Sequence, residues 1–332
     1  MRVSQALVTD PTSIAASVAT SRLSALRDLA RELAVLAEAA RGAPVAEEPR
    51  VSFPGNLPSP RDARTVAAGL DAALPPTDVE PGRATAPAAG VRPNTGPDLR
   101  AVRPRRSPDG MTAPRSPDPA ADASLAALDD LLPTRFFERA DPSDDAAFYT
   151  APRFVAHIDD ATIAALTDAY RDLVPAGSRV LDLMSSWISH LPPDVAYASV
   201  TGHGMNAAEL ERNPSLTDRL VRDLNREPEL PLPDASVDAA LCAVSVQYLT
   251  RPLRVFASVR RALAPGGKFV VAISHRMFPT KAIAIWHPLG VADRARMVGL
   301  YFRLSGGWTE PEVLDRSPAG ADPLVLVVAR RA

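Results

Sequence analysis

The chain has 332 residues, with 37 Lys and Arg against 39 Asp and Glu, a formal net charge of -2, and a single cysteine. That length holds one sizeable domain plus something extra, and the near-balanced charge gives no general attraction to nucleic acid or to anionic membranes. Lone Cys242, inside an apolar run, excludes an internal disulfide and a cysteine-based metal cage; no apolar stretch nears the ~20 residues of a membrane span and no secretory h-region opens the chain, so a cytoplasmic protein that contacts no membrane is expected.

Residues 11–41 read as one helix, with Asp10 as a cap, Pro11 in the first turn and Gly42 as the stop. Leu26, Leu29, Leu33 and Leu36 form one apolar stripe. Three readings stay open for residues 1–42: a helix that docks a partner, a marginal Ala-rich helix with nothing to hold it, and an organellar transit segment. Residues 43–122 carry roughly half of the chain's 34 prolines among Ala, Gly, Arg, Asp and Ser. Such a segment buries too little apolar surface to offset its chain entropy, so a disordered linker is expected, its basic cluster Arg100 to Pro108 included.

From residue 123 a folded domain is expected to run to 332. Leu125, Leu128, Leu131 and Leu132 repeat at helical spacing. Asp159 or Asp160 caps a helix whose apolar face is Ile163, Leu166 and Tyr170, ending before Pro175. Just ahead of it stand Tyr149, Arg153, His157 and Asp159, separated by apolar residues and positioned to fold over a site as a lid.

The stretch RVLDLMSSWISHLP, Arg179 to Pro192, reads as a buried strand running into a turn and a helix start, with Asp182 at the strand's carboxyl end. The chain then alternates. Ala196 to Gly202 reads as a strand, NAAELER from Asn206 as a helix, and LVRDL ending at Leu224 as a short strand. A strand centred on Ala240 to Val244, the helix PLRVFASVRRALAPGG stopped by Pro265 and Gly266, and the strand Lys268 to Ser274 follow. GVADRARMVGLYFRL reads as a last helix before two close strands, WTEPEVLDRS and DPLVLVVARR. Strands alternating with helices give an α/β, doubly wound, mostly parallel sheet, with one antiparallel strand expected at an edge. Gly202, Gly204 and Ala207 match the dinucleotide fingerprint G-x-G-x-x-A, with Asp223 at a fitting distance. That would suit a nicotinamide or flavin oxidoreductase, but the fingerprint belongs on the first strand and a β-α unit already precedes it.

RVLDLMSS, TGHGMN, VRDL, LPLPDASVDAALC and RRALAPGGKFVVAIS, in that order, resemble the class I S-adenosylmethionine-dependent methyltransferases, in particular the type 11 group, over about Leu125 to Arg331. The resemblance implies a Rossmann-like seven-stranded sheet, S-adenosylmethionine as cofactor, and a small-molecule methyl acceptor. It makes Asp182 the acid that helps hold the methionine end, and Asp223 and Leu224 the adenine-contacting turn. Met184, Ser185 and Ser186 stand where the family has a glycine-rich turn, a departure in which hydroxyls can donate hydrogen bonds to the carboxylate instead. After the second strand, His203, Gly204, Met205 and Asn206 replace the acid that binds both ribose hydroxyls, leaving Asn206 or His203 to bond a hydroxyl as a neutral group. These departures support an alternative, a catalytically silent binding or scaffold protein with the N-terminal helix as its contact.

Methyl transfer from a sulfonium needs in-line placement, exclusion of water and sometimes a base. Gln247 and Tyr248 beyond the fourth strand, and His275 and Arg276 beyond the fifth, are expected to face the acceptor. Arg153, His157, Arg276 and Lys281 are expected to converge as cations, with Tyr149, Tyr248 and Trp286 as walls, which suits a small anionic metabolite. His157, Tyr248 and Arg276 are the catalytic candidates, no metal is implied, and no basic-aromatic stripe of a nucleic-acid binder is present.

Overall fold

The computed structural model describes residues 134–332; the expected N-terminal helix, the linker and the 125–132 repeat lie outside the described residues. Seven strands and five α-helices follow in chain order: α1 (Asp145–Phe148), α2 (Asp160–Leu173), β1 (Arg179–Asp182), β2 (Ser199–Gly204), α3 (Ala207–Arg212), β3 (Asp218–Val221), β4 (Val237–Ala243), α4 (Pro252–Ala262), β5 (Leu263–Ile273), α5 (Val291–Ser305), β6 (Glu312–Asp315) and β7 (Val325–Arg330). They form one sheet in the order β3-β2-β1-β4-β5-β7-β6.

The central strands are apolar at consecutive positions because both faces are covered. Val180, Ala239, Leu241 and Val270 point into a layer shared with Leu166, Ala169 and Tyr170 of α2. Leu181, Ala240, Cys242 and Val271 point the other way, onto Phe256 of α4 and Phe302 of α5. Cys242 is fully buried, and burial pushes its thiol up to about 12, so it packs as an apolar residue. Asp159 caps α2 by accepting from the Thr162 amide at 2.8 Å.

Four boundaries differ from the sequence expectation. No helix follows β1: the Leu183 amide bonds Leu241 O and the Ser185 amide bonds His203 O, so N–H groups that would open a helix extend the sheet instead. Strand β3 ends at Val221, because the Asp223 side chain accepts the Asn225 amide and turns the chain. Strand β5 begins at Leu263 and runs through Pro265 and Gly266, the latter at a φ of 75° that glycine tolerates. Finally, antiparallel β7 is not at an edge; it lies between β5 and β6, leaving β6 as the edge strand.

Candidate active site

At the carboxyl ends of β1 to β4 the loops enclose a cleft of about 1160 Å³, part of it open to solvent. This is where an open parallel sheet presents its ligand crevice, beside the point where strand order reverses between β1 and β4.

The turn after β1 lines the floor with Asp182, Met184, Ser185 and Ser186. Asp182 is almost wholly buried, and loss of water raises its carboxyl to about 6 although hydroxyls of Ser185 and Ser189 oppose the rise. The Ser185 hydroxyl donates to Asp182 Oδ2 at 2.5 Å. Met184 has a φ of 56° and Val244, after β4, a φ of 46°. Both line the cleft in the left-handed conformation that glycine adopts without strain.

The second wall is the end of β2 and the start of α3, with His203, Gly204, Met205 and Asn206. A Cβ on Gly204 would sit 2.5 Å from Ser185 O, so glycine is required for the two turns to close up. Asn206 is spent on the protein: Oδ1 caps α3 through the Glu209 amide, and Nδ2 donates to Tyr149 O at 2.8 Å and Thr150 O at 3.1 Å. It has no donor left for a ribose hydroxyl, which corrects half of the sequence expectation. His203 is the other half. It is 1 % exposed, neither ring nitrogen has a hydrogen-bond partner, and burial lowers its pKa to about 4, so it is a neutral group with bonding capacity unused.

The third wall is the turn after β3. Asp223 and Leu224 both line the cleft; Leu224 is buried, and partial desolvation raises the Asp223 carboxyl. The residues present thus fit S-adenosylmethionine: Asp182 after β1, the His203 imidazole on β2, and Asp223 with buried Leu224 after β3 all line one cleft.

On the acceptor side, Tyr149, Tyr248 and Phe278 form an aromatic cluster, with Tyr248 and Phe278 stacked at 5.9 Å and His157 edge-on to Phe278 at 5.2 Å. Tyr248 is held in place by accepting the Phe278 amide at 2.8 Å, and burial pushes its hydroxyl up to about 12. His157 reaches the cleft from an otherwise exposed position; desolvation and Arg153 lower its pKa against the pull of Glu209. His190 lies beside it, its pKa brought to about 4 by burial and by His157. Three of the chain's five histidines therefore share the cleft, each with its pKa lowered, His190 and His203 to about 4.

Arg276 does not join them. Its guanidinium forms a two-pronged bond with Asp322 at 2.9 and 3.0 Å, and His275 approaches the same carboxylate at 3.5 Å. Lys281 is also withdrawn, fully buried between Asp141 and Asp145 at 3.1 Å each. Gln247 is buried and donates to Val244 O, and Trp286 is buried beneath Arg294. Of the four groups expected to converge, the cleft keeps the Arg153 guanidinium and the His157 imidazole, and Arg276 pairs with Asp322 instead of joining His157 and Tyr248 in the lining. The physical cause is that each withdrawn cation meets a carboxylate that is itself close to fully buried, Asp145 for Lys281 and Asp322 for Arg276, and a buried carboxylate needs a charged partner. The sequence reading missed Asp145, His190, Glu209, Asn225 and Phe278 in the lining; His190 and Glu209 stand inside stretches already singled out, Arg179 to Pro192 and NAAELER, whereas Asp145, Asn225 and Phe278 lie outside them. Among the described residues no cluster of His, Cys, Asp and Glu could hold a metal, and no helix is long and apolar enough to cross a membrane.

Residues 189–271 match the type 11 family described as Methyltransferase domain, starting just past the serine-containing turn. No curated protein matches the chain in sequence. Similar solved structures include an S-adenosylmethionine-dependent methyltransferase from Mesorhizobium loti, at 21% identity over 51% of this chain and 98% of that one, TM-score 0.37. They also include the [4+2]-cyclase SpnF, at 17% identity over 67% and 97%, TM-score 0.41, and a putative S-adenosylmethionine-dependent methyltransferase from Listeria monocytogenes, at 12% over 51% and 99%, TM-score 0.38. The family match lies across β2 to β5 of a seven-stranded sheet in this order, and the chain has the fold of the class I S-adenosylmethionine-dependent methyltransferases.

Proposed function

We propose that the cleft binds S-adenosylmethionine and that the protein transfers its methyl group to a small, partly apolar acceptor held against Tyr149, Tyr248 and Phe278. The observation that carries this reading is the continuity of one cleft from Asp182 to Asp223, with unpartnered His203 between them. When bound, the cofactor supplies an electrophilic sulfonium methyl, so the chain's own task is placement, exclusion of water and proton removal. Asp182 offers a carboxylate to the cationic end of the ligand, Leu224 packs on the base, and His203 bonds a hydroxyl. His157 and His190, neutral at working pH, can accept a proton from the acceptor. Tyr248, with its proton held to about pH 12, acts as a donor that orients the acceptor. Arg153 is the cation that remains for an anionic group on the acceptor; with Arg276 and Lys281 engaged elsewhere, an anion is a smaller part of the reading than an aromatic surface.

Calorimetry with S-adenosylmethionine and with its demethylated product, S-adenosylhomocysteine, tests this. One-site binding and a raised thermal midpoint are expected. The scaffold reading draws on Ser185 already occupying Asp182; it alone survives if neither compound gives heat or a thermal shift at millimolar concentration.

A further inference from the structure

The segment from Tyr149 to Ile158 contains no helix or strand and runs across the cleft between α1 and the cap of α2, contributing Tyr149, Arg153 and His157 to the lining. Its two ends are fixed by ion clusters. Before it, Asp145 takes Arg139 and Lys281; after it, the Asp159 side chain accepts the Asp322 amide at 2.6 Å and Asp322 returns the bond to the Asp159 amide. Between those anchors, deep apolar burial is confined to Ile158 at the far end; Phe154 and Val155 are 38% and 53% exposed, Phe154 lying edge-on to Trp187 and beneath Arg212.

What holds the middle is a carboxylate. Glu209 is buried in the first turn of α3, yet its side chain does nothing for that helix, whose cap is already made by Asn206. Oε1 accepts the Arg153 amide at 2.7 Å and Oε2 accepts the Ser186 hydroxyl at 2.6 Å. One carboxylate thus ties the segment to the turn after β1, the two sides of the cleft that a ligand reaching Asp182 has to pass. The other ties do not involve a carboxylate: Asn206 donates to the Tyr149 and Thr150 carbonyls, the Trp187 indole donates to Val155 O at 3.1 Å, and the Arg153 guanidinium donates to Phe148 O at 2.9 Å and lies over the Phe148 ring. A charge-assisted bond to an amide is about twice as strong as a neutral one.

We propose that Glu209 is a positioning residue, a latch that holds residues 149–158 closed across the cleft, and that its release admits and frees the ligand. The identity of that ligand rests on the function proposed above.

The test pairs Glu209→Ala with Glu209→Gln in the full chain, because a glutamine oxygen can still accept the Arg153 amide while its NH2 meets the Ser186 hydroxyl. Hydrogen exchange of residues 149–158 in the ligand-free protein is read first, with β1, β4 and β5 as the control for folding. Dissociation of S-adenosylhomocysteine, chased by excess unlabelled compound, is read second. Glu209→Ala is expected to speed both by about tenfold or more, the weight of one hydrogen bond to a charged group, with strand exchange unchanged and Glu209→Gln, whose bonds are neutral, falling between Glu209→Ala and the wild type. Unchanged exchange of residues 149–158 in Glu209→Ala overturns the latch, as does Glu209→Gln behaving like Glu209→Ala, which would assign the carboxylate to a charge contact with the ligand. If the wild-type protein fails to bind S-adenosylhomocysteine, the cofactor reading and the entry role fall together, while the ligand-free exchange still decides the latch by itself.

Discussion

The cleft and the two ion clusters that flank it are built from the same residue types and behave in opposite ways. In the clusters, Lys281 and Arg276 each meet a carboxylate that is close to fully buried, Asp145 in one and Asp322 in the other. In the cleft, His157, His190 and His203 are desolvated without such a partner at bonding distance and are left neutral, while Asp182 has hydroxyls only and its carboxyl rises. Paired charge in this domain fastens the two ends of the segment over the site, whereas in the cleft desolvation disfavours the charged forms of the histidines and of Asp182.

The largest expected effect breaks the fastening. Lys281→Ala removes a fully buried cation from Asp141 and Asp145 and should destabilise the domain by about 3–5 kcal/mol, read by denaturant titration. A loss below about 1 kcal/mol would show that the cluster is no stronger than a surface pair.

Next comes the pH dependence that desolvation in the cleft imposes. His203 and His190 have folded pKa values near 4 against 6.5 when unfolded, so the unfolded chain holds more protons in that window and stability falls as pH drops from 6.5 to 4, by about 3 kcal/mol for each. Asp182 acts the other way: its folded value near 6 lies above the unfolded 3.8, so stability rises as pH falls through the same window, again by about 3 kcal/mol. A net loss on acidification is expected, flattened in His203→Gln and steepened in Asp182→Asn. Identical pH profiles for the three proteins would contradict this account of the cleft.

Ligand binding gives a smaller effect. Asp182→Ala and Asp223→Ala should each weaken S-adenosylmethionine by about 1.5–3 kcal/mol in calorimetry, by removing a bond to a charged or buried group. Because binding of a cationic ligand favours the ionised form of Asp182, affinity should also fall as pH drops below about 6, and this dependence should vanish in Asp182→Asn.

The smallest effect sharpens the contrast. Arg276 is about half exposed and paired with Asp322, so Arg276→Ala should cost about 1 kcal/mol or less of stability and leave S-adenosylmethionine affinity unchanged. A large loss of affinity would return Arg276 to the site.

Much of this was legible before the fold was known. The consecutive apolar runs around Val180, Ala240 and Val270 specified buried parallel strands, and the order of motifs put Asp182, the residues around Gly204, and Asp223 with Leu224 at one end of the sheet, because strand ends in such a fold share an edge wherever their sequence neighbours lie. Local chemistry also narrowed the cap of α2 to Asp159 or Asp160, of which the fold uses Asp159, and gave Cys242 its packing role. Only the tertiary structure decided which charges the site keeps. Lys281 and Asp141 are 140 residues apart, Arg276 and Asp322 are 46 apart, and Glu209 finds the Arg153 amide across 56, so no spacing along the chain announces these bonds. The same holds for Met184 and Val244: their side chains argue against a left-handed backbone, and neighbouring strands impose it. Apolar periodicity is a property of one segment at a time and survives in the sequence, whereas the pairing of a buried charge is a property of two segments and exists only once the chain has folded.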